Sequence, residues 1–146
     1  MSQVIEELYF EKVPTDLFRH GSKTNPQLHK PRTMPPRDIS QVHDIRIYEK
    51  NNIKWVDHQS GGISLFNKPN PKFGNKWWKL PKGAKIPNLL RVSRDKGINP
   101  ATGQIHYTIR PVHDMPLSMF ITVLTQFSSI AIPDFEAESK WSKSWN

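Results

Sequence analysis

Proline and glycine punctuate this chain at almost every turn. Thirteen prolines and seven glycines fall among 146 residues. Proline removes a backbone donor and breaks helix interiors and central strands, and glycine opens turns. A chain cut this way folds into many short strands and few long helices. The apolar residues between the breaks fit that reading. Residues 3–13 mix β-branched and aromatic residues with glutamates and fit a strand or a short helix. Leu17-Phe18-Arg19-His20-Gly21 reads as a short strand ending in a turn. Ile45-Arg46-Ile47-Tyr48 and Ile53-Lys54-Trp55-Val56 read as a hairpin closed at Asn51-Asn52. Further short strands are expected at 61–66, 77–80 and 89–92, and the cleanest alternation in the chain spans Ile105 to Arg110. Residues 22–37 are Pro-rich and basic, which predicts a loop or extended segment.

One helix stands out. Leu117, Phe120, Ile121, Leu124 and Phe127 fall on one helical face. Asp114 is the candidate N-cap, Pro116 is tolerated in the first turn, and Pro133 marks the end. The tail EAESKWSKSWN is polar with two tryptophans. Many strands with one or two helices, outside any strand–helix–strand alternation, predict an α+β fold, and the length suggests a single domain, 1–146.

The net charge of +8 is concentrated in one place. Residues 68–96 hold nine Lys or Arg against one acid, Asp95, and the rest of the chain is neutral. Trp77 and Trp78 sit inside this stretch. As neighbours on a strand they point to opposite faces, so one belongs to the core and the other to a cleft or solvent. Interleaved cations and aromatics suit a nucleic acid, an anionic cofactor or an acidic protein, and they equally suit a solvated loop series with core tryptophans. Cysteine is absent, which excludes disulfides, thiolate zinc sites and a cysteine nucleophile, and suits a reducing compartment. No apolar run approaches the roughly 18 residues of a membrane span. The opening MSQVIEELYFEKV carries glutamates where a secretory signal carries lysines, so we expect a soluble chain without a signal peptide. Phosphate-binding glycine loops, the His-Glu-x-x-His zinc motif and the Gly-x-Ser-x-Gly elbow are all missing, and the six histidines never pair at i, i+4.

Three features carry possible chemistry. Arg19, at the end of a short strand, can hold a phosphate bidentately or serve as a surface charge. Ser64 follows the pair Gly61-Gly62, where the backbone can approach a ligand closely and a hydroxyl can orient it; a hairpin turn is the plainer use. His106 shares a strand face with Thr108, opposite Ile105, Tyr107 and Ile109, and so faces outward or into a cleft.

In their order along the chain, LFRH (17–20), GGISLF (61–66), WWKLPKGAKIPNLLRVSRD (77–95) and HYTIRPVHDMPLSMF (106–120) resemble the small NAD-dependent type VI secretion effectors, the Tse-type ADP-ribosyltransferase toxins. The resemblance covers roughly residues 17–128. It implies two short, mostly antiparallel sheets around an NAD cleft. By position Arg19 corresponds to the superfamily's first-strand Arg or His, and Ser64 to its second-strand element. Gln104-Ile105-His106 stands where a late Gln-x-Glu would stand, with His106 in place of the Glu. The expected catalytic set is therefore Arg19, Ser64 and His106, with Arg19, Gly62, Ser64 and Tyr107 contacting NAD and no metal. Cleaving the nicotinamide–ribose bond builds positive charge on the ribose, which a neutral imidazole stabilises less well than a carboxylate. The resemblance further implies delivery by contact without a signal peptide, action in a recipient cytoplasm, an unidentified macromolecular acceptor, and a cognate immunity protein of acidic character. The rival readings are a basic nucleic-acid-binding or ribonuclease-like protein using His106, and a non-catalytic domain of the same fold.

Overall fold

A computed structural model describes residues 5–21, 26, 45–70, 72, 74 and 76–133. Along the chain these form β1 (Ile5–Tyr9), β2 (Leu17–His20), β3 (Ile47–Lys50), β4 (Ile53–Val56), β5 (Ile63–Phe66), β6 (Trp77–Leu80), β7 (Leu90–Asp95), β8 (His106–Pro111), β9 (Met115–Pro116), α1 (Leu117–Ser128) and β10 (Ile132–Pro133). The strands make two sheets. The larger has the order β1-β7-β8-β5-β2-β6-β10, and the smaller β3-β4-β9. Each described pairing is antiparallel. With one helix packed against β4 and β9, this is an α+β arrangement.

The local reasons are those of the sequence. Asn51 and Asn52 both take positive φ, 54° and 62°, which is the twist a two-residue hairpin requires. They join β3 to β4 in the register Tyr48–Trp55 and Lys50–Ile53. Helix α1 buries Phe120, Val123, Leu124 and Phe127. These meet Val56 and Met115 of the small sheet and Leu17, Ile63, Leu65, Leu80, Val92, Tyr107 and Ile109 of the large one, in one continuous apolar cluster. A second, smaller cluster joins Phe18 to Trp77, with Phe66 against it. Trp77 is the tryptophan that enters the core, at 1% exposure, while Trp78 is only half-buried.

Several local expectations change. Residues 5–9 are a strand, paired with β7 across a shift between Ile5 and Glu7. The first hairpin strand begins two residues late, because Ile45 leaves the ladder and is fully buried in the core. Asp114 does not cap α1. Pro116 occupies the cap position without any side-chain bond, since Met115 and Pro116 pair with Val56 and Trp55 and hold Asp114 away from the first turn. The helix stops at Ser128 rather than running to Pro133, which lies in β10 opposite Trp78. The expected loop at 22–37, Pro26 apart, and the tail 134–146 lie outside the described residues.

Candidate functional site

The site is built on β8, whose two faces carry different chemistry. Tyr107 and Ile109 point into the apolar core. His106, Thr108 and Arg110 occupy the other face, and that face is also shielded: Thr108 is 2% and Arg110 3% exposed. The neighbouring β7 alternates in step. Leu90 and Val92 belong to the core, and Ser93 stands directly opposite Thr108, which fixes Arg91, Ser93 and Asp95 on the polar face. On the other side of β8, Ser64 opposes Thr108 and Phe66 opposes His106.

A buried polar layer results. Asp95 is 5% exposed and binds His106 through Nδ1. The same carboxylate oxygen accepts a hydrogen bond from Thr108 Oγ1 at 3.1 Å. Arg110 Nη2 lies 3.8 Å from the other oxygen, Oδ1, which accepts no hydrogen bond among the described residues. Arg110 Nε donates to Ser93 Oγ at 2.8 Å. Burial pushes the Arg110 guanidinium below its ordinary pKa, and Asp95 opposes that shift. The Phe66 ring packs against His106 at 5.4 Å between centroids. His106 keeps a quarter of its side chain in solvent, so it joins the buried layer to the surface.

Arg19 approaches from β2. That strand shares four residue pairs with β6 but a single one, Phe18–Phe66, with β5. Beside this short contact Arg19 Nη1 donates to the Ser64 backbone carbonyl at 3.0 Å. By register Arg19 starts on the face of Leu17, whereas Ser64 lies on that of Phe18 and Phe66. The structure therefore brings Arg19, Ser64 and His106 onto three adjacent strands and links Arg19 to the backbone of the second. Gly62 has a distinct local reason. A Cβ there would lie 1.9 Å from the Ile109 carbonyl oxygen, so the close approach it permits is to the chain's own strand β8. Tyr107, expected beside NAD, has its ring in the apolar core at 4% exposure, facing away from His106.

Sequence reasoning passed over Asp95, counting it only as the lone acid of a basic stretch. The signal was available: Arg91, Ser93 and Asp95 alternate on β7 as His106, Thr108 and Arg110 alternate on β8. Two strands with polar residues between apolar ones make a polar layer when they pair.

A second polar cluster lies between the hairpin and β9. Asp114 accepts hydrogen bonds from Tyr48 Oη and the His58 backbone N–H, and pairs with His58 Nδ1. The His58 side-chain bond first, then Tyr48 and the His58 amide, hold the Asp114 carboxyl at about 2. Asp57, His58 and Asp114 place potential metal-ligating atoms within 4.8 Å of one another. His58 and Asp114 pair with each other, and Arg46 binds Asp57 at 2.5 Å. No described helix is long and apolar enough to cross a membrane.

The small antiparallel α+β framework is compatible with an ADP-ribosyltransferase-like domain. The family of Tse2 ADP-ribosyltransferase toxins matches residues 15–133, and the chain belongs to it. The chain matches no individual curated protein.

Proposed function

We propose that the protein is an effector toxin, delivered by contact, that consumes NAD in the recipient's cytoplasm and passes ADP-ribose to a macromolecular acceptor or to water. The observation that carries this reading is the family match across 15–133, whose strings LFRH, GGISLF and HYTIRP fall on β2, β5 and β8, three neighbours in one sheet. NAD supplies a ribose carbon whose bond to nicotinamide breaks while a bond to the acceptor forms. The donor set suits it. Ser64 and His106 share one face of the sheet, where the hydroxyl orients the ribose end and the imidazole accepts a hydrogen bond from a ribose hydroxyl, while Arg19, starting on the other face and reaching β5 at the Ser64 carbonyl, supplies the cation for a pyrophosphate. Gly62 acts through the backbone, keeping β5 close to β8 next to Ser64. Tyr107 acts through the core, fixing β8 so that His106 is held on the polar face. The producing cell is protected by an immunity protein whose acidity complements the +8 charge.

Calorimetry with NAD and measurement of released nicotinamide test this directly. Binding should be detectable, and Arg19→Ala, Ser64→Ala and His106→Ala should each lower turnover by about 10²–10³ while the protein stays folded. Folded variants as active and as toxic as the parent would remove these residues from the mechanism. Salt-sensitive affinity for RNA or DNA with indifference to NAD would replace the reading with a nucleic-acid one.

A further inference from the structure

The sequence left a chemical gap at His106, since a neutral imidazole is a poor partner for positive charge. The buried layer fills that gap. Asp95 is nearly enclosed, and the Arg110 guanidinium, 3.8 Å from its Oδ1, supplies the counter-charge that a buried carboxylate needs. Its Oδ2 faces two groups from β8, Thr108 Oγ1 and His106 Nδ1. The Thr108 hydroxyl donates one proton to it, and an ionised carboxylate has none to give back. Nδ1 of His106 must then carry its own proton, and in the neutral ring the lone pair lies on Nε2.

We propose that Asp95 is the positioning residue of the site: it fixes His106 as the Nδ1–H tautomer and adds a negative charge behind the ring. The inference rests on the NAD reading given above. Asp95 and neutral His106 together carry one negative charge, which a lone imidazole lacks. With Nδ1 committed to Asp95 and the ring flanked by Phe66, Nε2 is the nitrogen left to meet a ribose hydroxyl. Arg110, the cation of the buried pair, offsets part of that charge and leaves Asp95 Oδ2 to the imidazole. It stands 3.8 Å from the oxygen that His106 does not use, and its Nε is committed to Ser93. The layer thus holds the carboxylate in place from one side while its other oxygen orients the imidazole.

Nitrogen-edited NMR of the full-length chain without NAD reads the tautomer directly. In its neutral form, His106 should show a protonated Nδ1 and an unprotonated Nε2. An Nε2–H tautomer in the parent protein overturns the proposal, and no variant is needed for that result. For function, Asp95→Asn keeps the shape of the side chain and removes the charge. It should lower kcat for nicotinamide release by about 10–100-fold with KM little changed. Thr108→Val removes the other bond to the same oxygen but leaves the Asp95 charge, and should lower kcat less than Asp95→Asn does. Equal losses in both variants, or unchanged kcat in a folded Asp95→Asn protein, overturn the positioning role. If the parent releases no nicotinamide from NAD, the enzymatic reading fails, and the tautomer alone decides whether Asp95 orients His106.

Discussion

Gly62 shows how a residue chosen for one reason is retained for another. In the sequence it suggested a ligand pressed against bare backbone, and in the fold the nearest group is the Ile109 carbonyl, 1.9 Å from where a Cβ would sit. The obstacle is backbone in a central strand pair, which gives way only if β5 moves off β8. Overpacking of cores costs about 1–3 kcal/mol and occasionally more, and this clash belongs at the upper end. Gly62→Ala should lose about 3 kcal/mol or more in chemical denaturation. An unchanged midpoint would mean that β5 and β8 are farther apart than described. Asp114 offers a second test. Its carboxyl is held at about 2 against an ordinary 3.8 by His58, Tyr48 and the His58 amide. A depressed carboxyl contributes stability above its unfolded pKa and loses it as pH falls through the folded one. The parent should therefore lose stability between roughly pH 4 and 2 more steeply than Asp114→Asn. Parallel curves for the two proteins would dissociate Asp114 from acid denaturation. The acid itself was visible in the sequence. Its partners were not, because Tyr48 and His58 reach it from a hairpin more than fifty residues earlier.

At the scale of elements, local pattern was a good guide wherever local physics decides the structure. The Asn51-Asn52 turn formed as its residues demand, and the helix formed where the apolar period placed it. The buried face of α1 is rotated slightly from the expected one, with Val123 buried and Ile121 only half-buried, because β4 and β9 approach from one side. Phe120 lies at the centre of that contact with no exposure. Phe120→Ala should cost about 3–5 kcal/mol, measured by denaturant titration, and unchanged stability would mean that α1 does not seal the core. At β8 the pattern was incomplete. Alternation normally separates core from solvent, and it left His106, on the face of Thr108, either outward or in a cleft. Here it separates an apolar core from a buried polar layer, because Arg91, Ser93 and Asp95 of β7 lie beside the polar face. No period within β8 could reveal that, since the cause is the composition of its neighbours.

At the scale of the whole molecule, the strings at 17–20, 61–66 and 106–111 were legible as a set, but their adjacency in one sheet was not, since pairing across such separations leaves no local trace. The fold also disperses what the sequence concentrates. The basic run 68–96 supplies β6, the Pro81–Ile86 turn and β7, and its charges part company there. Arg91 lies on the polar face beside Arg110, whereas Arg94 stands opposite Tyr107 on the other face. Lys68 is half-buried alongside Gly103, while Lys72, Lys82 and Lys85 are exposed. Of the exposed three, Lys72 lies in the connection before β6 and Lys82 and Lys85 lie in the turn after it. Their effect is on the field around the protein, which governs the encounter with an acidic partner more than the strength of the final complex. Reversing Lys72, Lys82 and Lys85 together to glutamate should slow association with the proposed immunity protein, strongly at low ionic strength and weakly near 0.5 M salt, where the Debye length is only about 4–5 Å. NAD affinity should hardly change. If calorimetry instead shows NAD binding lost while association rates stay constant, these lysines belong to the NAD site and the outer surface has been wrongly assigned to the partner.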